Sequence, residues 1–456
     1  MCGIVGAVAK YNIVPILMEG LHRLEYRGYD SAGLVVLENN KLERTRSVGK
    51  VGELQKALNG SVVRGFTGIA HTRWATHGKP TENNAHPHIS GETVAVVCNG
   101  IIENHEELRQ QQILDGFQFH SETDTEVVVH QIYGFIREGD DLLTAVTKTV
   151  NTLRGAFAIG VISAKEPDRL VASRRGSPLV VGLANSDTYI ASDKTALLNV
   201  TKDFMVLQDG DIADISAGAV TIFNQAGETV DREISRSNQR LDAIELGDFR
   251  HYMQKEIFEQ TQAVADTLEG RITGDRLLEG AFGPTSKSIF DHTKSVQILA
   301  CGTSHHAGLV ARHWMEGFGV PCNVEIASEF RYRRHVVPEG ALVVTISQSG
   351  ETADTLAALA EAKRIGFQHS LVICNVPESS LVRESDLTLM THAGPEIGVA
   401  STKAFTTQLT ALMLLCIALG RRHGLTAEKE AAIVKELRTL PAKIEHVLKL
   451  DPTIES

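Results

Sequence analysis

Near residues 228–256 the rhythm of apolar runs along this chain changes, and the change divides what it can fold into. Before it, short runs follow one another closely: CGIVGAVA, TGIAHTRWA, TVAVVCNGII, AFAIGVIS, RLVASRR, TYIASD and DIADI. Such runs predict strands, and with so few helices between them they predict stacked antiparallel sheets with helices outside. Two helices interrupt the pattern. Val14, Leu17, Leu21 and Leu24 make one apolar stripe, and SETDTEVVVHQIYGF predicts a second helix opened by a capping box of Thr123 and Glu126. Beyond the charged, apolar-poor stretch ETVDREISRSNQRLDAIELGDFRHYMQKE, strands alternate with helices: VQILAC, ALVVTIS, SLVICNV and LTLMT, then a long helix from about Thr402. That alternation predicts a doubly wound parallel sheet covered on both faces, an α/β domain beside an α+β one.

A chain of 456 residues exceeds one ordinary core. The expected division is a first domain over 2–235, a linker over 236–256, a second domain over 257–425, and an amphipathic helical segment over 426–456, broken at Pro441 and leading onward. A formal net charge of −11 argues against nucleic acid or an anionic membrane as partner and favours a small molecule. The six cysteines lie far apart, with no CxxC pair and no Cys/His cluster, so neither a disulfide framework nor a zinc site is expected and a reducing cytoplasm fits. The run LTALMLLCIALG, about twelve residues, is too short to span a bilayer and predicts a buried helix. The opening has neither a basic n-region nor a full h-region, so no targeting segment is expected.

That opening, MCGIVGAVA, raises a chemical possibility. Removal of Met1 makes Cys2 the first residue, with a thiol and an α-amine on one carbon; the amine titrates near neutrality and would serve as the thiol's own base. Gly3 allows close backbone approach to a substrate. A small buried residue opening a first strand is an equal alternative. In AHTRWATHGKPTENNAHPH, Arg73 offers a fork suited to a carboxylate, or a surface ion pair. In CNGIIENH, Asn99 and the Gly100 N–H could donate to an oxyanion, or form a hairpin turn. Asp124 could meet an ammonium, or sit in the first turn of a helix.

Taken together and in order, MCGIVGAVA, LEYRGYDSAG, HTRWATHG, NAHPH, NGIIENH and SETDTE resemble the glutaminase domain of class II glutamine amidotransferases, N-terminal-nucleophile hydrolases built as an αββα sandwich. The resemblance implies that Cys2 attacks the carboxamide of glutamine, giving a glutamyl thioester and ammonia. It implies that Asn99 and Gly100 hold the oxyanion, Arg73 the α-carboxylate and Asp124 the α-ammonium. It also implies that Trp74, Thr76, His77 and His86 surround the glutamine pocket, with Arg27 near the nucleophile.

In the second half, CGTSHH and SQSGET each follow an apolar strand and open a helix, where unpaired N–H groups and hydroxyls suit a phosphate. Ordinary N-capping would account for one such junction more easily than for both. Neither GxxxxGK[ST] nor GxGxxG is present, which argues against nucleotides. With EIASEFRYR, NVPESSLVRESD and GPEIGVASTKAFTTQ, these segments resemble a sugar-isomerase domain. The resemblance implies that Thr303, Ser304, Ser347, Gln348, Ser349, Thr352, Val399 and Ser401 hold fructose 6-phosphate. Ammonia would reach the sugar by an internal channel that Trp74 gates, yielding glucosamine 6-phosphate from a cytoplasmic homodimer with no metal or organic cofactor. The pattern departs in one respect: a second sugar-isomerase domain, with its imine-forming lysine, is expected where the chain stops at Ser456. The chain therefore reads as a fragment of a longer enzyme, with a glutaminase alone or a phosphosugar-sensing module as alternatives. An amidotransferase for phosphoribosyl pyrophosphate would need a diphosphate loop that is not visible.

Overall fold

The computed structural model describes residues 2–25, 29–59, 63–75, 77–184, 186–237, 246–377 and 379–455. It forms two compact units, residues 1–242 and 243–456.

In the first unit, strand Gly3–Val8 lies inside an eight-stranded antiparallel sheet, between Thr188–Ala191 and Thr67–Arg73. Its residues alternate between two apolar environments, which is why the run is apolar throughout. Ile4 and Val8 face a second, seven-stranded antiparallel sheet, packing with Val35 and Ile69 against Ala95, Val97, Ala158, Ile162 and Leu170. Val5 faces outward under helix Val14–Leu24, where a Cβ added at Gly20 would lie 2.9 Å from Val5 Cγ1. The outer face of the second sheet, through Val94, Val96 and Cys98, is covered by helices Glu126–Glu138 and Leu142–Thr152. The result is the αββα sandwich.

The expected capping box does not form. Helix Glu126–Glu138 starts two residues later than that motif requires, with Thr125 at its N-cap and no side-chain cap. Thr123 Oγ1 is instead drawn 3.0 Å from the buried ring of His88, and the Glu126 carboxylate accepts from the N–H groups of His120 at 2.8 Å and Ser121 at 2.7 Å.

The second unit holds five parallel strands in the order Cys322–Ile326, Ser295–Ala300, Ala341–Ser347, His369–Cys374 and Leu387–Met390. Alternate residues again serve two cores. Ile298, Val344, Ile346 and Ile373 pack with helices Gly302–Gly317 and Lys403–Gly420; Leu299, Val343 and Val372 pack with Phe330 and helix Ala353–Ile365. Helix Lys403–Gly420 is long and apolar enough to cross a bilayer by composition, yet 78% of it is buried inside the unit.

Pro441 does not break the last long helix, which runs unbroken over Ala427–Leu448. A proline there removes one N–H and crowds the preceding turn. The helix is held on both sides of it: Val434 and Leu437 are buried before, and Leu440 and Ile444 pack against the same core around and after.

Candidate active site

The two-residue period of strands brings the first group together. Along Thr67–Arg73 the face toward the second sheet carries Ile69, His71 and Arg73; along Val94–Gly100 it carries Ala95, Val97 and Asn99. Cys2 precedes Ile4 by two on the same face, so the apolar layer between the sheets ends in a polar edge of Cys2, His71, Arg73 and Asn99. The Trp74 N–H donates to Cys2 Sγ at 3.2 Å, and the Asn99 amide donates to the Cys2 carbonyl at 3.3 Å. Gly100 has φ +123°, and a Cβ there would lie 2.0 Å from the carbonyl oxygen of Ala156, so only glycine keeps this strand end closed.

Arg73, 3% exposed, donates to the carbonyls of His77, Gly78 and Lys79 and lies 3.7 Å from Asp30. Asp30 in turn accepts from the Ala75 N–H at 2.5 Å, and Asn84 ties Lys79 to Glu122, so the turn after Arg73 is anchored on both sides. Asp124 is buried and accepts from the Ile102 N–H at 2.8 Å, just past Gly100. Trp74 is half exposed, and the His77 ring meets His105 edge-on at 5.0 Å. Thr76 and Arg27 lie outside the described residues.

Behind Asn99 lies a buried imidazole stack that the sequence reading missed apart from His86. His71 Nε2 is 2.9 Å from Asn99 Oδ1; His71 stacks on His86 at 4.3 Å, and His86 meets His88 at 4.7 Å. The available signal was the alternation placing His71 on one face with Arg73. Burial drives the basicity of His71 down to about 3 and that of His86 and His88 well below the usual range, so all three are neutral at pH 7. Burial likewise raises the Cys2 thiol, with the Trp74 N–H pulling the other way. To act as a nucleophile, this thiol would need a base.

In the second unit, the strand order changes direction between Ser295–Ala300 and Ala341–Ser347, whose ends pair Ala300 with Ile346. Open α/β sheets bind ligands at such a switch point. Thr303 and Ser304 open helix Gly302–Gly317 beyond one strand; Ser347, Gln348, Ser349 and Thr352 form the turn beyond the other. Ser347 Oγ lies 3.2 Å from Thr352 Oγ1 and accepts from the Gly350 N–H at 3.0 Å; Ser349 Oγ accepts from the Glu351 N–H at 3.2 Å. Thr355 Oγ1 reaches Cys301 Sγ at 3.9 Å, linking the two junctions. Val399 and Ser401 sit on a separate loop whose start hangs on Asn375, at the end of the next strand, through Gly394 and Ala393. Val399 is 77% exposed. The same loop is gripped by Glu256, which accepts from the N–H groups of Ile397 at 2.5 Å and Gly398 at 2.6 Å, a contact the sequence reading did not foresee.

Comparison with known proteins gives two family matches, a glutamine amidotransferase domain over residues 71–199 and a SIS domain over 289–418. The chain is 58% identical over 458 aligned residues to a glutamine–fructose-6-phosphate aminotransferase [isomerizing] of Pseudomonas putida, and 56% identical to that of Pseudomonas syringae pv. tomato. In both, the alignment covers 100% of this chain and 75% of the relative. Among solved structures, the C-terminal domain of glucosamine-fructose-6-phosphate aminotransferase from Francisella tularensis is 49% identical, with a TM-score of 0.45 over 45% of this chain and 58% of that one.

Proposed function

Since the chain belongs to the glutamine–fructose-6-phosphate aminotransferases, we propose that Cys2, freed of Met1, is the residue at which it takes nitrogen from glutamine. The enzyme transfers the amide nitrogen of glutamine to fructose 6-phosphate, releasing glutamate and forming glucosamine 6-phosphate. The observation that carries the Cys2 assignment is the setting of its sulfur, beside the Trp74 N–H and one carbonyl bond from the Asn99 amide.

The thiol passes its proton to its own α-amine as sulfur bonds to the carboxamide carbon. The carbonyl oxygen takes the negative charge and is met by the Asn99 amide and the Gly100 N–H. The protonated amine then gives its proton to the departing nitrogen, ammonia leaves, and water cleaves the thioester to glutamate. Arg73 holds the α-carboxylate and Asp124 the α-ammonium, with Trp74, His77 and His86 bordering the pocket. The phosphate of the sugar is held by Thr303, Ser304, Ser347, Gln348, Ser349 and Thr352 at the switch point, with Val399 and Ser401 contributing from their loop. The molecule works in the cytoplasm as a homodimer; six unpaired thiols fit that compartment.

The test is glutamate release by Cys2→Ala. Complete loss with fructose 6-phosphate still bound is expected; retained hydrolysis removes the nucleophile assignment.

A further inference from the structure

We propose that His71 is a positioning residue for the oxyanion donor: its Nε2–H fixes the Asn99 amide so that its NH2 group, not its oxygen, faces the reacting carbonyl. The proposal rests on the reading of Cys2 as nucleophile and Asn99 as oxyanion donor.

The argument starts from an acceptor. The Cys2 carbonyl lies 3.3 Å from the Asn99 amide, and a peptide carbonyl has no proton to donate. Asn99 must therefore present its NH2 group to that carbonyl, which turns Oδ1 the other way, 2.9 Å from His71 Nε2. An amide oxygen only accepts, so Nε2 must carry the proton. Burial keeps the imidazole neutral, which leaves one proton on the ring and makes Nδ1 a bare lone pair. Nδ1 is a buried atom without a hydrogen-bond partner among the described residues, and an unpaired acceptor is tolerated in protein interiors better than an unpaired N–H. The ring cannot swing away, because it is fully buried and stacked on His86 at 4.3 Å.

A single chain of directional bonds thus runs from His71 through Asn99 to the residue that bears the nucleophile. One N–H of Asn99 rests on the Cys2 carbonyl, and the other remains for the oxyanion. Without the His71 donor, only the longer contact to the Cys2 carbonyl, at 3.3 Å, would hold the amide against its flipped form, which aims oxygen at a developing negative charge. The effect falls on the transition state, because the charge appears only there.

The test measures steady-state glutamine hydrolysis by His71→Leu, His71→Gln, Asn99→Ala and the double variant His71→Leu/Asn99→Ala. Removing one oxyanion donor typically lowers kcat by about 10²–10³-fold, and His71→Leu is expected to lose roughly 10–100-fold in kcat with little change in KM. His71→Gln, whose amide can donate from a similar place, should recover part of that loss, and the double variant should be no worse than Asn99→Ala alone. Alkylation of Cys2 by iodoacetamide, followed by mass spectrometry of its peptide, passes through no oxyanion and should keep its wild-type rate in His71→Leu. A normal kcat in His71→Leu beside a slow Asn99→Ala overturns the role of His71 while the active-site reading stands. A normal kcat in Asn99→Ala overturns that reading and this proposal with it. Should His71→Leu not fold, the side-chain 15N shifts of the wild-type protein decide: Nε2–H is expected, and an Nδ1–H tautomer, its proton turned from Asn99, overturns the proposal.

Discussion

Arg73 donates to the carbonyl oxygen of Gly78 at 3.1 Å, with His77 and Lys79 supplying two further carbonyls to the same guanidinium. A carboxylate is a stronger partner for this fork than a peptide carbonyl. On the proposed role of Arg73, glutamine has to displace part of the 77–79 turn to be held by its α-carboxylate. Arg73→Lys, which keeps the charge and loses the fork, should raise KM for glutamine roughly 10–100-fold, the equivalent of losing one charge-assisted contact, with a smaller change in kcat. Steady-state kinetics check this, and an unchanged KM would remove Arg73 from substrate binding.

The pH profile should report the proposed base. Burial raises the Cys2 thiol above its ordinary value, so at neutral pH it waits as a thiol. The free-enzyme kcat/KM for glutamine should then rise with pH through about 7–8, as an α-amine loses its proton. Protein that retains Met1, which turns the amine of Cys2 into a peptide N–H, should release no glutamate at any pH. Activity in a Met1-bearing sample, verified by intact mass, would mean that another group takes the proton.

Gly350 has φ +68°, and a Cβ there would lie 2.0 Å from Ser379 Oγ. A side chain in that conformation costs about 1–3 kcal/mol before the clash is counted. Gly350→Ala should displace the Ser347–Thr352 turn and weaken fructose 6-phosphate binding at least roughly tenfold by calorimetry, since 1.4 kcal/mol is a factor of ten. Glutamine hydrolysis without sugar should be unaffected. Unchanged sugar affinity would move the phosphate site away from this turn.

The buried imidazoles should make the first unit sensitive to acid. His71, His86 and His88 are held neutral by burial, with folded-state values far below that of an unfolded histidine. Between the unfolded value near 6.5 and those lower folded values the unfolded chain binds more protons. Each ring therefore lowers stability by roughly 1.4 kcal/mol per pH unit as pH falls below about 6.5, and none does so above it. Urea midpoints measured between pH 7 and 5 should fall steeply, and less steeply in His88→Gln even though that variant starts less stable. A midpoint flat over this range would contradict the buried, neutral assignment.

The layered architecture was legible because burial on both faces leaves a direct trace in sequence: Gly3–Val8 is apolar throughout, Ala341–Ser347 is apolar but for Thr345 and Ser347, and strand-to-helix alternation marks the parallel sheet. What escaped depends on where polar side chains find partners. Thr123 and Glu126 carry the spacing of a capping box, but His88 and the 120–121 backbone compete for them and win. Pro441 reads as a breaker until Ile444 is seen packing beyond it. His71 stood inside a motif quoted for its arginine, and its place behind Asn99 follows only from two sheets meeting face to face. Glu256 is distant in sequence from the loop it holds, 141 residues from Ile397, and no local pattern announces such a contact.

The first strand pairs on one side with Thr67–Arg73 and on the other with Thr188–Ala191. A segment that leaves the ribosome at once must therefore wait for about 190 residues of synthesis before its sheet can close around it. At roughly 5–20 residues per second that interval is on the order of ten seconds or more. During it the strand Gly3–Val8 lacks its Thr188–Ala191 neighbour, and afterwards it is locked between two. The timing of translation thus allows Cys2, the proposed nucleophile, to be uncovered before the strand that follows it is enclosed.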